Sequence, residues 1–395
     1  MHWPIHRSSG ITAIAMALLL TACGDAPEPN RLQTPAVPDT MLSHDDEQEA
    51  FNQHLLHLAN DGHVQLAASA NALDDAIQQF LAAPDDAGLQ YARRQWQEAY
   101  NALLRVRLFG YLPITDPVEW QRQRSGYRDL MQQLDSWPIE GGYLDYLPGY
   151  PHTGIVNDLA LPLTTEALLQ QHRSIDPWSA SVGFHVVEFL LWGSDGQRPA
   201  SDFLAAEPDP NNNAPGHRHR DRRRTYLTLA SQLLREHASQ LQQRWEPQTG
   251  YYARLMNDSL PSAALTAALI ATQHWLDAAR QHQQNEDVRS EFSGQQHAEQ
   301  QALEDQALLQ GLRNWLQGTN SDPGALPIVL ADEPDLLDRW QAILATAGAQ
   351  EAAPESASES APENIPEPLT AAKLDYLQGL LDETATALNI RIHGY

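Results

Sequence analysis

SVGFHVVEFLLWG, residues 181–193, is apolar on every side of a helical projection except at His185 and Glu188. A helix that is apolar all round lies inside a protein or inside a membrane. This one is too short to span a bilayer, so it reads as a buried helix wrapped by others. Asp176-Pro177 supplies a start, with Asp as the cap and Pro at the first helical position, and Gly193 supplies a stop. His185 and Glu188 are three residues apart and share one face. A buried carboxylate without a partner is costly enough to change its protonation, so something must satisfy Glu188. One answer is a mutual hydrogen bond or nearby arginines. The other is a shared metal ion, with the imidazole nitrogen and carboxylate oxygen as two ligands. Gly183, read as a mid-helix residue, lies roughly opposite His185, where close helix contact would explain it.

The segments around this helix carry the same signal. Strand patterns are nearly absent, and 3.6-residue periodicity runs through 49–81 (one helix, or two broken near Asp61-Gly62), 88–109, 222–245, 254–281, 297–316, 334–346 and 369–388. The expected fold is all-α: two packed helical-bundle domains, 46–248 carrying the central helix and 249–395 following it. An irregular Pro-, Gly- and aromatic-rich segment, 110–154, interrupts the first domain and is long enough to be functional. An acidic, aromatic-free stretch, 347–368, reads as a disordered loop in the second. His217 to Arg224 (HRHRDRRR) reads as a helix start with solvated arginines. His54 and His57 read as surface histidines on an amphipathic helix.

The chain has 51 acidic and 25 basic residues, a formal charge of −26, which leaves no general attraction to nucleic acid. Residues 1–22 read as a signal peptide, with an apolar run at 11–20 too short for a permanent anchor. It ends in Leu20-Thr21-Ala22-Cys23, which resembles a bacterial lipobox, whose cysteine is acylated and becomes the mature N-terminus. Cys23 is the single cysteine of the chain, so no internal disulfide exists and an acylation site accounts for it. Gly24 rather than Asp after it favours the outer membrane. Residues 23–45 then form a flexible tether from lipid to domain.

Gly183-Phe184-His185-Val186-Val187-Glu188 resembles the GxHxxE motif of the imelysin family, and Phe189 to Gly193 extend the match. Further segments are similar in order: Trp137-Pro138, Leu144-Asp145-Tyr146, Gly154 to Asp158, Arg198-Pro199, Asp202-Phe203, Arg222 to Leu227, and Ser290 to Ser293 with His297. The resemblance covers the chain from about residue 46 to its end. It implies an all-α fold of two helical bundles with the motif helix near the cleft between them, and a periplasmic or outer-membrane setting linked to iron uptake. His185 and Glu188 carry over as metal ligands. Glu140 and His297, each in a family-like segment, are the candidates to complete the set.

The expected function is a lipid-anchored, periplasm-facing protein that binds a metal ion, iron before zinc, and contributes to iron acquisition with transporter components as partners. A zinc-dependent endopeptidase is the alternative, although the zincin pattern HExxH is absent and Glu188, if a ligand, is not free as a base. A structural lipoprotein in which His185 and Glu188 satisfy each other is the third reading.

Overall fold

The computed structural model describes residues 45–112, 126–127, 129–205, 219–284, 286–318, 324–345 and 369–392, with backbone alone between 282 and 301. The signal peptide, Cys23, the tether as far as residue 44 and the acidic stretch 347–368 lie outside the described residues. Among the described residues there is no strand; Leu147 and Tyr150 form an isolated bridge. The helices are α1 (Asp45–Ala82), α2 (Asp86–Val106), a short turn α3 (Gly141–Leu144), α4 (Thr165–Gln171), α5 (Phe184–Trp192), α6 (Arg220–Trp245), α7 (Tyr251–Asn257), α8 (Pro261–Gln284), α9 (Glu286–Gln317), α10 (Ala325–Val329), α11 (Pro334–Ala345) and α12 (Ala371–Ala387). The fold is all-α, as the periodicity indicates.

α1 buries Phe51, Leu55, Ala59, Leu66, Ala70, Leu73, Ile77 and Phe80 along one stripe. That 3–4 residue spacing is what a single straight helix against a core requires. It runs unbroken through Asp61-Gly62, and Gly62 stands where Val106 of α2 packs so closely that a side chain would collide. α1 lies against α2, α6 and α8; α9 packs on α2, α12 on α8, and α5 on α2 and α6. Five tryptophans, Trp96, Trp245, Trp275, Trp315 and Trp340, are fully buried in the resulting core. The expected helix over 254–281 is in fact two, since Asp258 to Leu260 turn ahead of Pro261, a residue that opens a helix but cannot continue one.

α5 begins later than Asp176-Pro177 suggests. The Asp176 carboxylate accepts from the backbone of Trp178 and Ser179, closing a local turn instead of capping a helix. The helix starts at Phe184 with Gly183 as its cap, at φ 109° and ψ 179°, and stops at Gly193, at φ 74° and ψ −175°. Both conformations belong to a region open essentially to glycine alone. Gly183 is therefore a cap and not a mid-helix residue. The close contact expected of it is real: a Cβ there would stand 2.8 Å from the carbonyl oxygens of Gln133 and Leu134.

Arg222, Arg223 and Arg224 of the basic cluster are tied into the structure rather than left in solvent, while His217 and Arg218 lie outside the described residues. Arg223 is fully buried, and its guanidinium grips Asp145 through both oxygens, at 2.5 and 3.0 Å, while Arg198 adds a third contact at 2.8 Å. Burial opposes charge on Asp145, but Arg198 and Arg223 outweigh it and hold its pKa below the ordinary carboxylate value. Arg222 donates to the carbonyls of Ile155, Val156, Asp158 and Leu161, and Arg224 to that of Phe203. Tyr146 donates to Asp202 at 2.7 Å. The backbone carbonyls of an irregular loop need donors from somewhere. Here the first turn of α6 supplies them, tying 144–161 and 198–203 to the helical frame. His54, expected at the surface, is buried, with its Nε2 3.3 Å from the carbonyl of Asn314 on α9.

Candidate functional site

α2 holds α5 through one stripe of side chains at helical spacing. Arg93 donates to the carbonyls of Leu191 and Arg198 at 2.8 and 3.0 Å, Trp96 donates to that of Phe184 at 2.8 Å, and Tyr100 reaches His185. Positions 93, 96 and 100 fall on a single face, so one helix surface fixes both ends of α5 and the orientation of its imidazole.

His185 is 1% exposed. Its Nδ1 lies 2.7 Å from Glu188 Oε2, so the pair seen in the sequence does meet across one turn. Its Nε2 points the other way, 3.1 Å from Tyr100 Oη and 3.3 Å from Asp135 Oδ1. The Tyr100 hydroxyl donates to Asp135 Oδ1 at 3.1 Å. Arg107, just past α2, holds the second Asp135 oxygen at 3.4 Å. The Trp137 ring covers the imidazole, centroids 4.7 Å apart, and Trp96 and Tyr100 flank it. Trp96, Tyr100 and His185 are buried, whereas Trp137 and Glu188 keep partial exposure, so solvent lies on the Trp137–Glu188 side. Burial by itself disfavours a charged ring. Hydrogen bonds to Asp135 and Glu188, and the charges of both carboxylates, prevail and raise the His185 pKa to about 9.

Two carboxylates at opposite nitrogens cannot both share one ion with the imidazole. The arrangement separates their roles. Glu188 accepts a hydrogen bond from Nδ1–H and fixes the ring direction, as carboxylates behind metal-bound histidines do. Tyr100 Oη, Asp135 Oδ1 and His185 Nε2 form a triangle with edges of 3.1, 3.1 and 3.3 Å. Oxygen and nitrogen ligands about 2.0–2.2 Å from a first-row ion stand roughly 3 Å apart when adjacent. The triangle thus has the size and donor chemistry of one coordination face, closed here by protons. Among the described residues no three His, Cys, Asp or Glu side chains form a metal-holding group; the third donor of this triangle is a phenol.

The other candidates from the sequence stand apart. Glu140 is exposed and lines, with Asp195, a cavity whose lining includes none of Tyr100, Asp135 and His185. His297 is on α9, and its side chain is outside the described residues. Sequence reasoning missed Tyr100, Asp135 and Arg107. The available signal was the spacing of Arg93, Trp96 and Tyr100, three hydrogen-bonding side chains on the face of α2 that should be apolar, continued by Arg107 just past its end.

The Imelysin (peptidase M75) family model matches residues 59–388. No curated protein matches the chain. Among solved structures, an iron-regulated protein A precursor from Parabacteroides distasonis ATCC 8503 is similar with a TM-score of 0.54 at 12% identity, over 87% of this chain and 94% of that one. An imelysin-like protein from Psychrobacter arcticum 273-4 gives 0.52 at 16% identity, over 88% and 98%. At such identity the likeness is one of fold.

Proposed function

The chain belongs to the imelysin family, and from that premise we propose that it is an iron-binding protein, exported and lipid-anchored at Cys23 on the periplasmic face of a bacterial outer membrane, that contributes to iron acquisition. The observation that carries the reading is the triangle of Tyr100 Oη, Asp135 Oδ1 and His185 Nε2. Phenol and carboxylate oxygens with one imidazole favour iron over softer cations. A similar structure bears the name of an iron-regulated protein, which agrees with that choice. In this reading Tyr100, Asp135 and His185 hold the ion. Glu188 accepts a hydrogen bond from Nδ1–H, so that the lone pair of Nε2 is directed at the ion, and Arg107 keeps Asp135 turned toward it. The ring proton and the phenol proton leave as the ion is taken up. Trp137 shields the donors from water, and a rotation of its side chain opens the way in. Transporter components are the expected recipients of the ion.

A second reading has a specific observation in its favour. Both imidazole nitrogens lie against carboxylates, and the pKa is raised to about 9, as in a structural imidazolium clamp. Peptide hydrolysis gains no such support, because Glu188 is engaged by His185 and is not available to activate water.

The test is metal content and spectroscopy of the full chain in detergent, loaded with ferric iron. One iron per chain is expected, with a visible phenolate charge-transfer band. Tyr100→Phe abolishes the band, Asp135→Asn abolishes binding, and Glu188→Gln weakens it about 10–100-fold. Full stoichiometry in Tyr100→Phe, or no iron in the natural chain while Glu188→Gln loses stability, leaves the clamp as the reading. Cys23→Ala should move the protein out of the membrane fraction; retention there removes the lipid anchor.

A further inference from the structure

A cavity of about 580 Å³ opens beside the loop that covers His185, between residues 138–142, the 147–150 turn, Trp178 and residues 194–195. That volume lies within the range of ligand-binding clefts, roughly 300–1,000 Å³. Its walls are apolar, with Pro138, Ile139, Leu147 and Pro148. At its rim stand two aromatic rings, Trp178 at 57% and Tyr150 at 65% exposure. Its charged lining residues are Glu140 and Asp195, and none of the lining residues is Lys, Arg or His. Asp195 accepts from the backbone of Gln197, and among the described residues neither carboxylate has a cationic partner.

We propose that this cavity docks an extended segment of a partner polypeptide that presents an arginine or lysine. Exposed tryptophan and tyrosine beside an apolar hollow are the residues that dominate protein–protein contacts. Their faces also attract a guanidinium or ammonium group. Two carboxylates without a cation of their own make the hollow complementary to a basic side chain and repellent to an acidic one. The open, aromatic rim suits a side chain delivered by a polypeptide better than a small molecule, which a cleft usually encloses. The inference does not depend on ion binding at His185.

A displayed library of random heptapeptides, panned against the full chain in detergent, tests it. Glu140→Gln/Asp195→Asn and Trp178→Ala serve as parallel targets. The two carboxamides sit at the surface and keep the fold, which a circular dichroism melt verifies. The natural chain should enrich peptides containing Arg or Lys. An enriched peptide, synthesised and titrated calorimetrically, should bind at least tenfold more weakly to the double variant and lose affinity as salt is added. Equal enrichment on all targets overturns the proposal. So does equal binding of the same peptide with glutamine in place of its basic residues. Agmatine binding as tightly as the peptide would make the cavity a small-amine site and overturn the assignment of a polypeptide.

Discussion

His185 keeps its proton in the ion-free chain because two carboxylates hold its two nitrogens. Its folded pKa of about 9 lies above the ordinary 6.5. Its contribution to stability is therefore complete below pH 6.5 and fades as pH rises through 9; the shift corresponds to about 3 kcal/mol. His63, His172 and His237 behave in the opposite sense. Burial lowers each to about 4, so their contribution is present above pH 6.5 and is lost as pH falls toward 4. The combined histidine contribution peaks near pH 6.5. Urea titrations across pH should show the alkaline loss disappear in His185→Gln while the acid loss stays; an unchanged alkaline limb would contradict the assignment. Gly183 belongs to the same scale. Its backbone lies where a side chain is strained, and the carbonyls of Gln133 and Leu134 fill the space. Gly183→Ala should lower stability by at least about 1–3 kcal/mol, read from the denaturation midpoint, and a neutral result would mean that the cap can rearrange.

α5 is placed by elements on either side of it. α2 clamps it through Arg93, Trp96 and Tyr100, and the first turn of α6 fixes the loops that flank it. The Asp145–Arg198–Arg223 knot gathers segments 144–146, 198–203 and 220–224, and Arg222 adds 155–161. A buried ion pair with bidentate geometry gains little over a well-packed apolar substitute. Losing one partner is different, because it strands a buried charge. Arg223→Ala should cost about 3–5 kcal/mol and loosen both loops, seen as faster amide exchange over 144–161. Arg222→Ala, which removes hydrogen bonds but strands no charge, should cost less. If the two variants melt alike, the knot is not the stronger tie.

Across the whole molecule the charge balance is lopsided, −26 with acidic residues outnumbering basic ones about two to one. Like charges on the surface repel one another and oppose compaction, and dissolved salt screens that repulsion. The melting temperature should rise by a few degrees between low and physiological ionic strength; a fall would show that attractive pairs such as Arg339–Glu383 dominate instead. The same imbalance sharpens the contrast between the two carboxylate features. Asp135 and Glu188 face Arg107 and His185 in the interior, whereas Glu140 and Asp195 meet no cation among the described residues and face outward into the cavity.

The all-α fold, the burial of 184–192 and the meeting of His185 with Glu188 were legible in the sequence. Each is a matter of local periodicity, and an i,i+3 pair on a helix has no choice but to be near. Family-like segments were legible as segments, though not as what they build. Asp145, Arg198, Arg222 and Arg223 are distant in the chain, and only the packing of irregular loops on α6 turns apparent surface arginines into a buried tie. Tyr100, Asp135 and Arg107 stayed hidden for a related reason. They come to His185 from another helix and from the segment before Trp137, so their partnership depends on how α2 crosses α5. Tertiary structure also set the two nitrogens of His185 facing different carboxylates, because a rigid planar ring held from both sides points each nitrogen one way only.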